Sequence, residues 1–162
     1  MINHIGQIPA VAALKFSSKD ALVFEGQTFS FNQINDLVER AAGGLSDLGI
    51  VQGDTVTLYA ENSWEWIVSY YAIARLGAVI NPVNTMLTPS EIEYVVKDCG
   101  AKAIIASPEK VAAIMGVKEV SDVEEIISFG SDIADGAISF DALIAANISA
   151  PTPVEIDPAN LS

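Results

Sequence analysis

Cysteine and histidine are nearly missing from this chain: 162 residues contain one of each, Cys99 and His4. One thiol closes no internal disulfide, so a disulfide-stapled secreted fold is excluded and a reducing, cytoplasmic setting is expected. One imidazole and one thiol also exclude the usual zinc sets, and the serines have no second histidine to draw on as a base. Cys99 falls on the apolar side of a predicted helix and reads as packing, while His4, in the N-terminal tail, reads as uninformative. Basic residues are scarce too. Eight Lys and Arg against 21 Asp and Glu give a net charge of −13 and a pI near 4.1. Nucleic acid, whose phosphates must be neutralised, is excluded as a partner. The few cations are scattered, which argues in the same way against attachment to anionic lipid. The acid excess reads as a solvated surface. No apolar run approaches the ~18 residues of a membrane span, so none is expected. The opening MINHIGQIPAVAALKF lacks the basic start and long apolar core of a signal peptide. Internal repeats and low-complexity segments are also lacking.

Motifs of chemistry are equally sparse. No G-x-G-x-x-G follows a strand and no G-x-x-x-x-G-K-[ST] occurs. Gly43-Gly44 lies inside a helical pattern, where it cannot cradle a phosphate and instead permits close packing. Glu124-Glu125 and Asp132/Asp135 are neighbours in surface turns, not carboxylates set in contrasting environments of a cleft. Trp64, Trp66, Tyr70 and Tyr71 are able to stack a ligand, but at helical spacing they read as core. Catalytic, cofactor-binding and metal-ligating residues are therefore all assigned as none. In a doubly wound sheet the places left for a ligand are the strand ends at Glu61-Asn62-Ser63, at 82–87 and at Ser107-Pro108.

What the chain does have is alternation. In residues 53–84, Val56, Leu58 and Ala60 lie among Thr55, Thr57 and Tyr59 in a charge-free run that suits a strand buried on both faces. Asn62, with Glu65 three positions on, is expected to cap the next helix. That helix has one apolar row at Trp66, Tyr70 and Ile73 and a second at Ile67, Tyr71 and Ala74. Its milder face is Glu65, Ser69, Ala72 and Arg75, and the whole reads as deeply packed. Gly77 ends it as a left-handed cap, Ala78-Val79-Ile80 is the next strand, and Pro82 stops that strand. This is a βαβ crossover, so the two strands are expected to be parallel.

Upstream, residues 1–19 read as a short helix and a loop, and residues 21–30 as a hairpin turning at Glu25-Gly26-Gln27. A helix follows, boxed by Ser30 and Gln33 and carrying Ile34, Leu37, Val38, Ala41 and Leu45 inward. Downstream, Thr88-Pro89-Ser90-Glu91 starts a helix with Val95, Val96 and Cys99 in its stripe. A strand at 101–106, a helix from Ser107-Pro108 to about Val120, a strand at 125–129 and a helix from Ser139 complete the pattern. Strands near 56, 78, 102 and 126 alternating with helices predict a three-layer α/β/α fold, a doubly wound, mostly parallel sheet of Rossmann-like topology with a small N-terminal hairpin.

Several of these segments together resemble the adenylate-forming (AMP-binding) superfamily. Leu48-Gly49-Ile50 with Gly53-Asp54-Thr55-Val56 resembles its "LGv..GD.V" stretch, and Glu61-Asn62-Ser63-Trp64-Glu65 its "NS.E" helix start. Leu76-Gly77-Ala78-Val79-Ile80-Asn81-Pro82 is similar to "GAv..P". Leu87-Thr88-Pro89-Ser90-Glu91-Ile92 and Asp98-Cys99-Gly100-Ala101-Lys102 are similar to "LTp.Ei" and "D.gak". Asn84 and the Leu-Thr-Pro-x-Glu form resemble the acyl- and aryl-CoA ligases more than the peptide-synthetase branch. The resemblance implies an enzyme that joins a carboxylic acid to coenzyme A through an acyl-adenylate, with ATP, Mg and CoA as the parent's cofactors. That superfamily's phosphate loop, aromatic-Thr-Glu motif, ribose-binding Asp and C-terminal Lys have no counterpart here. Asp157-Pro158-Ala159-Asn160-Leu161-Ser162 resembles the "dp..la" segment that precedes the phosphate loop.

The resemblance thus implies an N-terminal α/β subdomain at 1–150 and a linker at 151–162 leading towards that loop. A piece of this kind is expected to be inert alone. Two alternatives stand beside it: a non-catalytic α/β interaction module, and an unrelated doubly wound domain binding a small ligand at 82–87. Apolar residues make up 51% of the chain; with glycine the share reaches about 58%, above the roughly 45–50% of typical domains. Part of the surface is therefore expected to be covered, by the rest of a parent chain or by self-association.

Overall fold

The computed structural model describes residues 4–130 and 133–146. The expected linker at 151–162 lies outside the described residues, as does Asp132. A 3-10 turn at Ile5–Gln7 leads into α1 (Ile8–Phe16), and β1 (Asp20–Phe24) and β2 (Gln27–Ser30) form an antiparallel hairpin. Its two-residue turn places both Glu25 and Gly26 at positive φ, the geometry of a type I′ turn. Next come α2 (Phe31–Asp47), β3 (Thr55–Tyr59), α3 (Trp64–Arg75), β4 (Val79–Pro82), α4 (Pro89–Asp98), β5 (Ala101–Ala106), α5 (Pro108–Ile114), β6 (Glu125–Ser128), β7 (Ile138–Ser139) and α6 (Phe140–Ala145).

The main sheet has the order β4-β3-β5-β6-β7, with every pairing parallel. From β3 the chain steps outward to β4, then back across β3 to β5, and onward to β6 and β7. Right-handed crossovers put helices on opposite faces when the direction of stepping reverses. Accordingly α3 joins α2 and α6 over one face, around Val56, Leu58, Ile105 and Ile127. Helices α4 and α5 cover the other, around Ile104, Ile126, Ile92 and Val111. The reversal lies between β3 and β5, so a crevice opens beyond their C-terminal ends. The two-residue β7 is a strand that the sequence pattern did not anticipate. Pro82, lacking a backbone donor, fits β4 because β4 is a sheet edge.

Three local expectations change. The α3 cap is Ser63, whose hydroxyl accepts from the Trp66 amide at 3.2 Å; Asn62 precedes the cap and is exposed. The packing of α3 matches the expected rows only at Ile73 and Ala74, which are buried. Its mild residues Ser69, Ala72 and Arg75 are buried, while Trp66, Ile67, Tyr70 and Tyr71 are only half-buried. Small side chains let α3 lie close to α2, and Arg75 reaches Glu39 of α2 with Nη2–Oε1 at 3.3 Å. The Ser107 helix also breaks early, into a 3-10 turn at Met115–Glu119. Other expectations hold. Ser30 and Thr88 form complete capping boxes, Ser139 caps α6, and Gly77 has φ +71 just past the end of α3. Gly44 is the close approach anticipated: a Cβ there would lie 2.3 Å from Leu143 of α6. No helix among the described residues is long and apolar enough to cross a membrane.

Candidate functional site

At the crevice, the three segments that follow β3, β4 and β5 are tied into one unit. Glu61, two residues past β3, accepts a 2.6 Å hydrogen bond at Oε2 from the Ser107 hydroxyl, just past β5. Its Oε1 pairs with Lys110 Nζ at 3.2 Å. Lys110 also donates to the Thr85 carbonyl at 2.9 Å and lies over the Tyr59 ring at 4.9 Å. The Tyr59 hydroxyl in turn donates to the Leu87 carbonyl. Ser107 occupies the cap position of α5 without capping it, because its hydroxyl is turned to Glu61. These contacts draw the Glu61 carboxyl from 4.5 down to about 2, led by the Ser107 hydrogen bond, with Lys110 contributing. The carboxylate is thus held ionised.

Beside this network is an open cleft of about 570 Å³, between Glu61-Asn62, Trp66 and residues 82–85. Two of the three strand-end segments named from sequence line it, and the third, at Ser107-Pro108, joins them through the Ser107–Glu61 hydrogen bond. The two tryptophans separate. Trp64 packs inward on Phe29 and Phe140, at 5.5 and 6.3 Å between ring centroids. Trp66 stacks on Tyr70 at 5.5 Å and lines the cleft. The sequence pattern missed Lys110; its only signal was a lysine four residues past the end of a strand.

The arrangement can position backbone but holds little chemistry. Ser107 faces a carboxylate and not an imidazole. His4 is buried in the N-terminal segment, which packs against the far end of α3, where Gly6 meets the backbone of Ala74 and Arg75. Among the described residues no group of three or more His, Cys, Asp or Glu is placed to hold a metal. A nucleotide polyphosphate does not fit this crevice. Its walls present the fixed Glu61 anion, and its nearest cation, Lys110, is already engaged by a carboxylate, a carbonyl and a ring. The remaining candidates stay apart: Glu125 pairs with Lys118 at 3.3 Å, Glu124 and Asp135 are exposed, and Gly43-Gly44 is buried within α2. Cys99 is half-buried, its sulfur accepting from Asn81 Nδ2 at 3.3 Å, which agrees with packing.

The motif-bearing residues of the resemblance have structural duties. Asp54 accepts from the Val51 amide at 2.8 Å and closes the turn before β3. Lys102 donates to the Gly49 carbonyl at 2.8 Å and sits 3.4 Å from Asp54. Thr88 and Glu91 box α4. Comparison with known proteins points the same way. The family model described as AMP-binding enzyme matches residues 10–162. The 4-coumarate–CoA ligase 5 of Oryza sativa subsp. japonica is 38% identical over 135 residues, 83% of this chain and 24% of that protein. The mitochondrial medium-chain acyl-CoA ligase ACSF2 of Rattus norvegicus is 33% identical over 103 residues, 62% of this chain and 17% of its own length. The crystal structure of the anthranilate CoA ligase AuaEII in complex with anthranoyl-AMP superimposes with a TM-score of 0.87 at 26% identity. That match covers 93% of this chain and 29% of the solved one. The chain spans about a quarter or less of the two sequence relatives.

Proposed function

The chain belongs to the AMP-binding enzyme family, and on that premise we propose that it is the N-terminal part of an ATP-dependent acyl- or aryl-CoA ligase. In the parent's reaction the acid's carboxylate oxygen attacks the α-phosphorus of Mg-ATP. Pyrophosphate leaves and an acyl-adenylate forms. The CoA thiol then attacks the acyl carbon and AMP leaves. The groups that perform this belong to the remainder of the parent, which is the partner of this chain; the single thiol supports a reducing compartment such as the cytoplasm.

The observation that carries the reading is the tied crevice. A doubly wound sheet offers its ligand position at the reversal of strand order. Here that position is tied together by Glu61, Ser107 and Lys110, and among the described residues its nearest cation is already engaged. The part supports an active site formed elsewhere. The test is a chimera in which residues 10–162 replace the matching segment of the rice ligase. We expect it to form 4-coumaroyl-CoA. A chimera that folds, by circular dichroism and cooperative melting, yet makes no thioester would count against the reading. The names of the relatives, which cover both aryl and aliphatic acids, favour no single acid.

A further inference from the structure

Helix α3 keeps much of its bulk off its own core. It buries the small Ser69 and Ala72, while four of its largest side chains, Trp66, Ile67, Tyr70 and Tyr71, stay half-buried. An aromatic side chain offers about 150–250 Å² for burial. Three rings left half-wet on one helix therefore favour a second body that covers them, and such rings are enriched where two protein bodies meet.

These side chains border one continuous trough. A hollow of about 190 Å³ lies among α1, the hairpin, α2 and α3, with Pro9, Leu22, Ile67 and Tyr71 in its walls. A second, of about 300 Å³, lies between β1 and the start of α3 and shares Leu22 and Ile67 with the first. It shares Asn62 and Trp66 in turn with the 570 Å³ cleft at the strand ends. Among the described residues lining the three, Glu61 at the crevice end is the only charged one. A small-molecule site encloses most of its ligand's surface, whereas each of these hollows is open along one side. A long, open, uncharged trough matches a polypeptide face. Anionic lipid finds no cation in it. A second copy of the chain brings the same net −13 and is repelled. The rest of a parent chain is amply large: 24% of the rice ligase is matched, so about three quarters of that protein is further polypeptide.

We propose that this trough, from Leu22 through Tyr71 and Ile67 to Trp66, is the seat of the parent's remainder, which meets it with an apolar, uncharged face. The proposal rests on the function proposed above and adds to it the surface through which this chain supports the site. Because the trough opens into the crevice, the body that fills it arrives beside residues 82–85. The outward rings of α3 thereby gain the core that their own domain does not give them.

The test uses the chimera described above, in which the rest of the rice ligase stands in for the parent's remainder. The photo-cross-linking residue p-benzoylphenylalanine is placed at Trp66 and, separately, at Tyr71. Each placement puts a ring where a ring already stands, and circular dichroism checks that the fold is kept. After irradiation and digestion, mass spectrometry should join both positions to peptides of the same chain that lie outside residues 10–162. Cross-links confined to residues 10–162 would overturn the proposal. So would cross-links to a second copy, seen as a doubled mass on a denaturing gel. Failure of the functional reading looks different: a folded chimera that makes no thioester counts against that reading, and its cross-links are scored in the same way. An active chimera whose trough stays unlinked keeps the functional reading and removes this proposal alone.

Discussion

Glu61 gives the crevice its character, and its behaviour was not legible in the sequence. Glu61, Ser107 and Lys110 are spread over 50 positions, and only the return of β5 beside β3 brings them together. Sequence did mark the strand ends at which they lie, because alternation of strands and helices locates those ends. The carboxyl of Glu61 titrates near 2 in the folded chain and at 4.5 without these contacts. A lowered folded value stabilises the fold above pH 4.5, and that contribution is lost as pH falls from 4.5 towards 2. Chemical denaturation across that window should therefore show a smaller acid loss in Glu61→Gln than in the natural chain. Ser107→Ala should flatten the same window, since the Ser107 hydroxyl is the largest cause. An unchanged pH profile in both variants would contradict this network. At neutral pH, Ser107→Ala should cost no more than about 1 kcal/mol, the net worth of one hydrogen bond to a solvent-exposed carboxylate.

Helix α3 shows where pattern reading succeeds and where it fails. Its existence, length and left-handed end at Gly77 follow from local chemistry. Its orientation does not, because apolar residues occur on nearly every side and the inward face is chosen by fit against α2. Small Ser69 and Ala72 are fully buried, and the larger rings of Trp66, Tyr70 and Tyr71 stay half-buried. The cap moved by one residue for a related reason: both Asn62 and Ser63 are good caps, and the turn geometry selects Ser63. Ser63→Ala should cost about 1 kcal/mol in denaturant melts, whereas Asn62→Ala should change stability by much less. The α2–α6 contact makes a second test. Gly→Ala inside a helix ordinarily gains up to about 1 kcal/mol. At Gly44 a methyl group would collide with Leu143, so Gly44→Ala should lose about 1–3 kcal/mol. Adding Leu143→Ala should recover part of that loss, seen as a non-additive double-mutant cycle.

For the whole molecule, the layers and the family followed from alternation and from short segments read in order; the strand order and β7 did not, since pairing across the sheet carries no local signal and two residues carry no periodicity. The apolar excess has a visible counterpart in side chains such as Val79, Met86 and Tyr94, which are 51%, 83% and 70% exposed. Sedimentation velocity at rising concentration should accordingly show self-association, and a monomer at every concentration would contradict it. The central claim is that this chain supports an adenylate-forming site without containing one. ATP–pyrophosphate exchange tests it most directly, with the purified 162-residue chain, Mg-ATP and a panel of aromatic, medium-chain and long-chain acids. The account predicts no exchange above the protein-free rate with any acid. Sustained exchange that depends on one of the acids, and that survives rigorous removal of contaminating ligases, would contradict it.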